Sequence, residues 1–137
     1  MAGYSKTPLA QKLGIKPGMK VAALNPPRGY SKLLAPLPMD VSFTDRAVAG
    51  ASFVHLFVTE RRTLEKELRR LRKELDDAGV LWISWPKKAS GVATDITEDA
   101  IREVCLPLGF VDVKVCAVDE IWSGLKLMIR RENRKVR

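Results

Sequence analysis

The segment at residues 52–58, SFVHLFV, is apolar at odd and even positions alike. A strand with one face in water alternates polar and apolar residues, so a run that is apolar on both faces belongs to a strand covered from both sides. Helices give a parallel sheet that cover, and the rest of the chain has to supply neighbouring strands and crossover helices. Two further runs have the same character, MKVAAL at residues 19–24 and VLWISW at residues 80–85. None approaches the ~18 to 20 apolar residues that a membrane helix requires, and Met1-Ala-Gly-Tyr-Ser-Lys lacks the hydrophobic segment of a secretory signal. A cytoplasmic protein is expected. A chain of 137 residues buries roughly two-thirds of its surface on folding, enough for one core without disulfide or metal staples.

Between these runs the pattern changes to that of helices. Leu64, Leu68, Leu71 and Leu75 recur at spacings of four, three and four, lining one face of a helix predicted over residues 60–78, with Thr59 as cap and Gly79 as terminator. Its other face mixes Glu65, Lys66, Glu67, Arg69, Arg70, Arg72, Lys73 and Glu74, a solvated surface too short for a coiled coil. Thr7-Pro8 and Gly14 bracket a short helix and Pro17-Gly18 makes a turn. Asn25-Pro26-Pro27 ends the first strand, because proline cannot donate to a ladder. A loop or short helix at residues 28–34 and a strand at residues 41–44 follow. Thr97, with Glu98 and Asp99 behind it, opens a helix to about Leu106. Residues 110–118 and 125–131 close as an antiparallel hairpin, since a link through Asp119, Glu120 and Gly124 is too short for a crossover.

Strands and helices thus alternate without repeat or linker. The pattern predicts one α/β domain over residues 1–131, a mostly parallel sheet for which analogy with methyltransferase-like folds gives the strand order 2-1-3-4-6-5, and a basic tail over residues 132–137. A parallel sheet finished by an antiparallel hairpin is the arrangement of Rossmann-like, methyltransferase-like folds, an analogy that assigns no activity.

Charge and composition narrow the chemistry. The net charge of +8 is uneven: residues 1–39 carry +6, residues 126–137 carry +5, and residues 40–125 carry −3. Basic ends brought together would attract phosphates or acidic proteins, with salt-dependent strength; kept apart, they serve solubility. Two cysteines without metal spacing, Cys105 and Cys116, and one histidine, His55, do not suit zinc, haem or iron-sulfur chemistry. No metal is expected and no cofactor is identified.

In an open parallel sheet the ligand crevice lies beyond the carboxyl ends of the strands, where strand order reverses. Here that is between the first and third strands. The loops gathered there are NPPRGY at residues 25–30, residues 59–62, and WPKKASG at residues 85–91. They bring Arg28, Arg61, Arg62, Lys87 and Lys88, with Asn25, Tyr30 and Ser90 as hydrogen-bonding groups and Trp85 as a wall. Such a crevice suits a small phosphorylated or nucleotide-like anion. A methyltransferase calls for a glycine-rich turn after its first strand, and NPPRGY offers a single late glycine. Asn25-Pro26-Pro27 superficially resembles the Asn-Pro-Pro-aromatic motif of amino-group methyltransferases, but Arg28 replaces the aromatic and the motif follows the first strand rather than a middle one. Lys87-Lys88 lies in no P-loop frame. His55 reads as a packed core histidine, since the local sequence identifies no carboxylate or hydroxyl partner. Cys105 and Cys116 read as reduced core thiols, and Trp82 as packed on the sheet.

Three segments, residues 3–16 (GYSKTPLAQKLGIK), 85–95 (WPKKASGVATD) and 115–126 (VCAVDEIWSGLK), resemble an uncharacterised family of small bacterial proteins, a domain of unknown function. The resemblance spans nearly the whole chain. It implies a bacterial cytosolic protein and transfers no catalytic residue. Its recurring phrases fall on two loops of the chain and add Thr94, Asp95, Asp119, Glu120 and Trp122 to Lys87, Lys88 and Ser90 as site candidates. Adjacent Asp119 and Glu120 would point to opposite faces of a strand and so would not share a proton. The reading favoured by the sequence is a non-catalytic Rossmann-like module that binds a small anionic ligand. The alternatives are a degenerate adenosylmethionine-dependent methyltransferase-like enzyme, and a nucleic-acid or protein interaction module using the basic ends. The sequence identifies neither the ligand nor an oligomeric state.

Overall fold

The doubly apolar run becomes β3 (Ala51–Phe57), third in a six-stranded sheet, in a computed structural model that describes residues 7–134. Lys6 and the residues before it, and residues 135–137 of the basic tail, lie outside the described residues. The strands are β1 (Lys20–Leu24), β2 (Ser42–Thr44), β3, β4 (Leu75–Pro86), β5 (Phe110–Ala117) and β6 (Trp122–Ile129), in the order β2-β1-β3-β4-β6-β5 that the sequence predicts. The first four pair in parallel; β6 is antiparallel to both β4 and β5. This is an α/β Rossmann-like fold closed by an antiparallel hairpin. Among the described residues, no helix is long and apolar enough to cross a membrane.

Both faces of β3 are covered, as its sequence requires. On one face Phe53 and Phe57 pack with Trp82 of β4 and with Ala10, Leu13, Tyr30 and Leu34 from the short helices α1 (Leu9–Leu13) and α2 (Tyr30–Leu34). The Trp82 indole N–H donates to the Leu13 carbonyl at 2.9 Å and holds the end of α1 against the sheet. On the other face Val54 and Leu56 pack with Leu64, Leu68 and Leu71 of α3 (Arg61–Glu74) and Ile101 and Cys105 of α4 (Glu98–Cys105). Thr97 caps α4 as predicted, its hydroxyl oxygen accepting the Ala100 N–H at 3.0 Å.

Four boundaries differ from the sequence reading, the first two because a distant group intervenes. First, α3 stops at Glu74, whose carbonyl accepts the Gly50 N–H at 2.8 Å, and Leu75 turns extended to pair with Ala51. Leu75 keeps the leucine period yet is buried as a strand residue, and the pairing then jumps from Ala51–Leu75 to Phe53–Val80 across a bulge. Second, Thr59 does not cap α3; Asp95 accepts the Arg61 N–H at 2.6 Å, while the Thr59 carbonyl accepts the Thr94 hydroxyl at 2.6 Å. Third, α1 starts at Leu9, with Pro8 as its cap residue rather than its first helical residue. Fourth, Asp119 accepts the N–H groups of Ile121 and Trp122 at 2.8 and 2.7 Å, which tightens the hairpin so that β6 begins at Trp122.

The described part of the basic C-terminal end, residues 130–134, is folded back as well. Arg130 and Arg134 donate to the carbonyls of Leu106 and Ile129 at 3.1 and 3.0 Å, and Asn133 donates to the Gly109 carbonyl at 3.3 Å. These guanidinium groups act on the main chain rather than forming a free cationic arm.

The helix-side core implies a specific cost. Leu68 is fully buried between α3 and the sheet, so Leu68→Ala should lower unfolding stability in urea by about 2–5 kcal/mol, and Thr97→Ala by ~1 kcal/mol through loss of its cap.

Candidate functional site

Because β1, β3 and β4 run parallel, their carboxyl ends reach one edge of the sheet. The hairpin turn joins that edge, since Pro86 pairs with Trp122 and the Lys87 N–H donates to the Ile121 carbonyl at 2.7 Å. The loops after Leu24, Phe57 and Pro86 therefore share a rim, with the ends of β1 and β4 roughly 10 Å apart at ordinary strand spacing. Within the rim much of the polar chemistry holds the main chain. The Ser90 hydroxyl donates to the Lys87 carbonyl at 2.6 Å and accepts the Val92 N–H at 3.2 Å. Thr94, Asp95 and Asp119 serve backbone groups as described above. Arg61 pairs with Glu65 and Glu103 at 3.5 and 2.8 Å.

A cleft of about 610 Å³ opens at the carboxyl ends of β1 and β2, lined by Ala23, Pro26, Pro27, Gly29, Tyr30, Ser31, Phe43, Thr44 and Asp45. The turn that forms its floor is shaped by two left-handed residues, Asn25 at φ 56° and Gly29 at φ 82°. A Cβ built on Gly29 would meet nothing within 4 Å, so the backbone there stands open to a ligand. Phe43, 38% exposed, meets Tyr30 edge to face at 6.1 Å. Asp45 directly follows β2, with its side chain 95% exposed and Arg46 4.0 Å away. In Rossmann folds an acid about 20 residues beyond the first-strand turn, at the end of the second strand, accepts ribose hydroxyls. Asp45 occupies that place relative to Asn25. The spacing was available in the sequence, but the short 41–44 strand offered too little pattern to show that its end faces the turn.

Beneath the cleft lies a hydrogen-bonded chain of three buried side chains. Tyr30 Oη is 2.7 Å from His55 Nδ1, and His55 Nε2 is 2.7 Å from Ser84 Oγ. His55 and Ser84 are fully buried, and the Phe57 ring stacks on the imidazole at 4.2 Å. Neutral imidazole has one donor and one acceptor nitrogen, so its tautomer sets the direction of the whole chain. Burial lowers the His55 pKa to about 3 and raises that of the Tyr30 phenol. All three groups are therefore neutral near pH 7, and the chain works as a strut that pins Tyr30 and the turn before it. The packed core histidine of the sequence reading is correct, and its hydroxyl partners lie 25 and 29 residues away.

The predicted site residues separate accordingly. Tyr30 lines the cleft and Asn25 shapes its turn. Arg28, Lys88 and Glu120 are exposed on the rim, and Lys87 and Trp122 are half-buried there. Ser90, Thr94, Asp95 and Asp119 fasten loops. Trp85, expected as a pocket wall, instead packs in the core beneath α3 and α4, on the sheet face opposite Tyr30.

No family model matches the sequence, and no curated protein matches it. Solved structures do share the fold. A SAM-dependent methyltransferase from Aquifex aeolicus superposes with a TM-score of 0.64 at 14% identity, over 89% of this chain and 88% of that one. Aeropyrum pernix fibrillarin with natively bound S-adenosyl-L-methionine gives 0.57 at 12% identity, over 92% and 70%. Ribosomal protein L11 methylase from Lactobacillus delbrueckii subsp. bulgaricus gives 0.58 at 12% identity, over 90% and 76%. The non-catalytic module clamping a small anion is corrected by these likenesses, and the cleft agrees: the charged side chain among its lining residues is the carboxylate of Asp45, with no lysine or arginine.

His55 is the chain's one histidine, which makes its titration directly readable. In the unfolded chain it takes up a proton below about 6.5, whereas in the folded protein it stays neutral down to about 3. Its contribution to stability is thus full above pH 6.5 and is lost as pH falls toward 3, with a slope approaching ~1.4 kcal/mol per pH unit. Imidazole NMR shifts should stay those of the neutral ring from pH 8 to pH 5, and titration near 6.5 would refute the buried strut.

Proposed function

We propose that this chain is an adenosylmethionine-dependent, methyltransferase-like protein whose nucleoside cofactor sits in the cleft between the β1 turn and the end of β2. The observation that carries the reading is Asp45, an exposed carboxylate just past β2 that lines a cleft beside the turn after β1 in a methyltransferase-like fold. Asp45 would accept the ribose hydroxyls, while Phe43, Pro26 and Pro27 supply apolar walls for the base and Gly29 leaves the backbone open. Pro26 and Pro27 have no N–H to offer, so main-chain donors from this turn come from Arg28 onward. When bound, the cofactor supplies an electrophilic methyl group on a sulfonium centre. The chain's own part is to orient it: the His55 strut fixes Tyr30, and the self-fastened rim leaves Arg28, Lys87, Lys88, Glu120 and Trp122 beside the cleft for the methyl acceptor. We place the protein in the bacterial cytoplasm, as its resemblance in sequence implies.

Calorimetry with adenosylmethionine and adenosylhomocysteine tests this directly. Both should bind, and Asp45→Ala should weaken binding about tenfold or more, the loss of a charge-assisted hydrogen bond. Absence of binding by the wild-type chain, or binding indifferent to Asp45→Ala, overturns the proposal.

A further inference from the structure

The sheet face under α1 carries cations that the cleft does not use. Lys114 of β5 stands opposite Lys126 of β6, an arrangement of like charges that costs stability. Trp82, the cross-strand neighbour of Lys126 on β4, donates its indole N–H to the Leu13 carbonyl, which brings the end of α1, with Lys12 and the following Lys16, to the same side of the sheet beside that pair. Lys126 and Cys116 feel these cations: burial, then Lys114 and Lys16, lowers the Lys126 pKa, and Lys12 and Lys114 both act on Cys116. By contrast the acids Glu65, Glu67, Glu98 and Glu103 are engaged by arginines on α3 and α4, across the sheet. Alternate residues of a strand share a face, so from Lys126 the same side of β6 passes Gly124 and reaches Trp122 at the rim, roughly 14 Å away. Trp122 is half-buried, standing edge-on to Phe57 at 5.1 Å.

We propose that this row is a binding track for a single-stranded nucleic acid, its phosphates against Lys12, Lys16, Lys114 and Lys126 and a base against Trp122. The track ends on the rim that carries the cofactor cleft. Resting on the methyltransferase reading, it makes a nucleic acid the methyl acceptor. An indole at the end of a cationic row suits an unstacked base better than an acidic peptide, because every base offers a face to stack. Bound phosphates would also relieve the Lys114–Lys126 repulsion that the free protein tolerates.

The test is fluorescence anisotropy of the full chain with a labelled single-stranded RNA, and the matching DNA, of about 12 nucleotides, over a salt titration. Affinity should fall linearly on a log–log plot, and Lys114→Ala with Lys126→Ala should make the slope about 1.4 shallower, two phosphates at ~0.7 each. Lys66→Ala with Lys73→Ala, on the solvated face of α3, should leave it unchanged. Absent or salt-insensitive binding, an equal response to the α3 pair, or equal affinity for polyglutamate overturns the track. Calorimetry with adenosylmethionine on the Lys114/Lys126 variant separates the two readings. Retained cofactor binding with lost nucleic-acid binding supports the track; nucleic-acid binding by a wild-type chain that takes no cofactor sinks the methyltransferase reading and the acceptor role, leaving the track itself.

Discussion

The two hydrogen bonds of His55 tie together the parts of the molecule on which the site depends. The imidazole sits in the middle strand of the parallel region and reaches Tyr30 at the head of α2 on one side and Ser84 near the end of β4 on the other. Removing either hydroxyl would leave a buried nitrogen without its partner, at a cost of about 1–3 kcal/mol. The bonds therefore hold the β1 turn in one position relative to β3 and β4. Aromatic contacts reinforce them: Tyr30 meets Phe57 edge to face at 5.4 Å, and Phe57 meets Trp122. A turn rich in proline, anchored in this way, presents a cleft that is formed before any ligand arrives, which lowers the ordering cost of binding.

The rim is built with similar economy. Asp95 caps α3 from a loop 34 residues downstream, Thr94 secures the residue before that cap, and Asp119 tightens the hairpin turn whose Ile121 carbonyl accepts the Lys87 N–H just beyond β4. Polar residues that look like binding groups in the linear chain are here main-chain fasteners that set the position of the loops. Charge is correspondingly divided. A carboxylate stands in the cleft, arginine-carboxylate networks occupy the α3 and α4 surface, and lysines collect on the opposite face under α1.

Much of this architecture is legible in the chain because its strands and helices are patterned by burial. The double-sided apolar runs at β3 and β4, the leucine stripe of α3 and the short hairpin link suffice for the elements and the closing antiparallel hairpin, while the strand order comes by analogy of fold. What escapes is long-range. Leu75 carries the helical period into a strand because periodicity reports burial, not backbone conformation, and the Gly50 contact that ends the helix lies 24 positions upstream. Thr59 has the chemistry of a cap, but Asp95 holds the better geometry. The partners of His55 and the place of Asp45 depend on which strands become neighbours. The spacing of about 20 residues from the first-strand turn to Asp45 is legible in the chain, but that its carboxylate lines the same cleft as the turn depends on β2 pairing with β1.

The central claim is that a nucleoside occupies the cleft between the β1 turn and the end of β2. Hydrogen exchange of the full chain with and without saturating adenosylhomocysteine locates the ligand without altering any residue. Slower exchange at the amides of residues 28–31 and 44–46 is the expected result. Slowing confined to the bulge at residues 75–79 or to the outer surface of α4, with residues 28–31 and 44–46 unchanged, would contradict it.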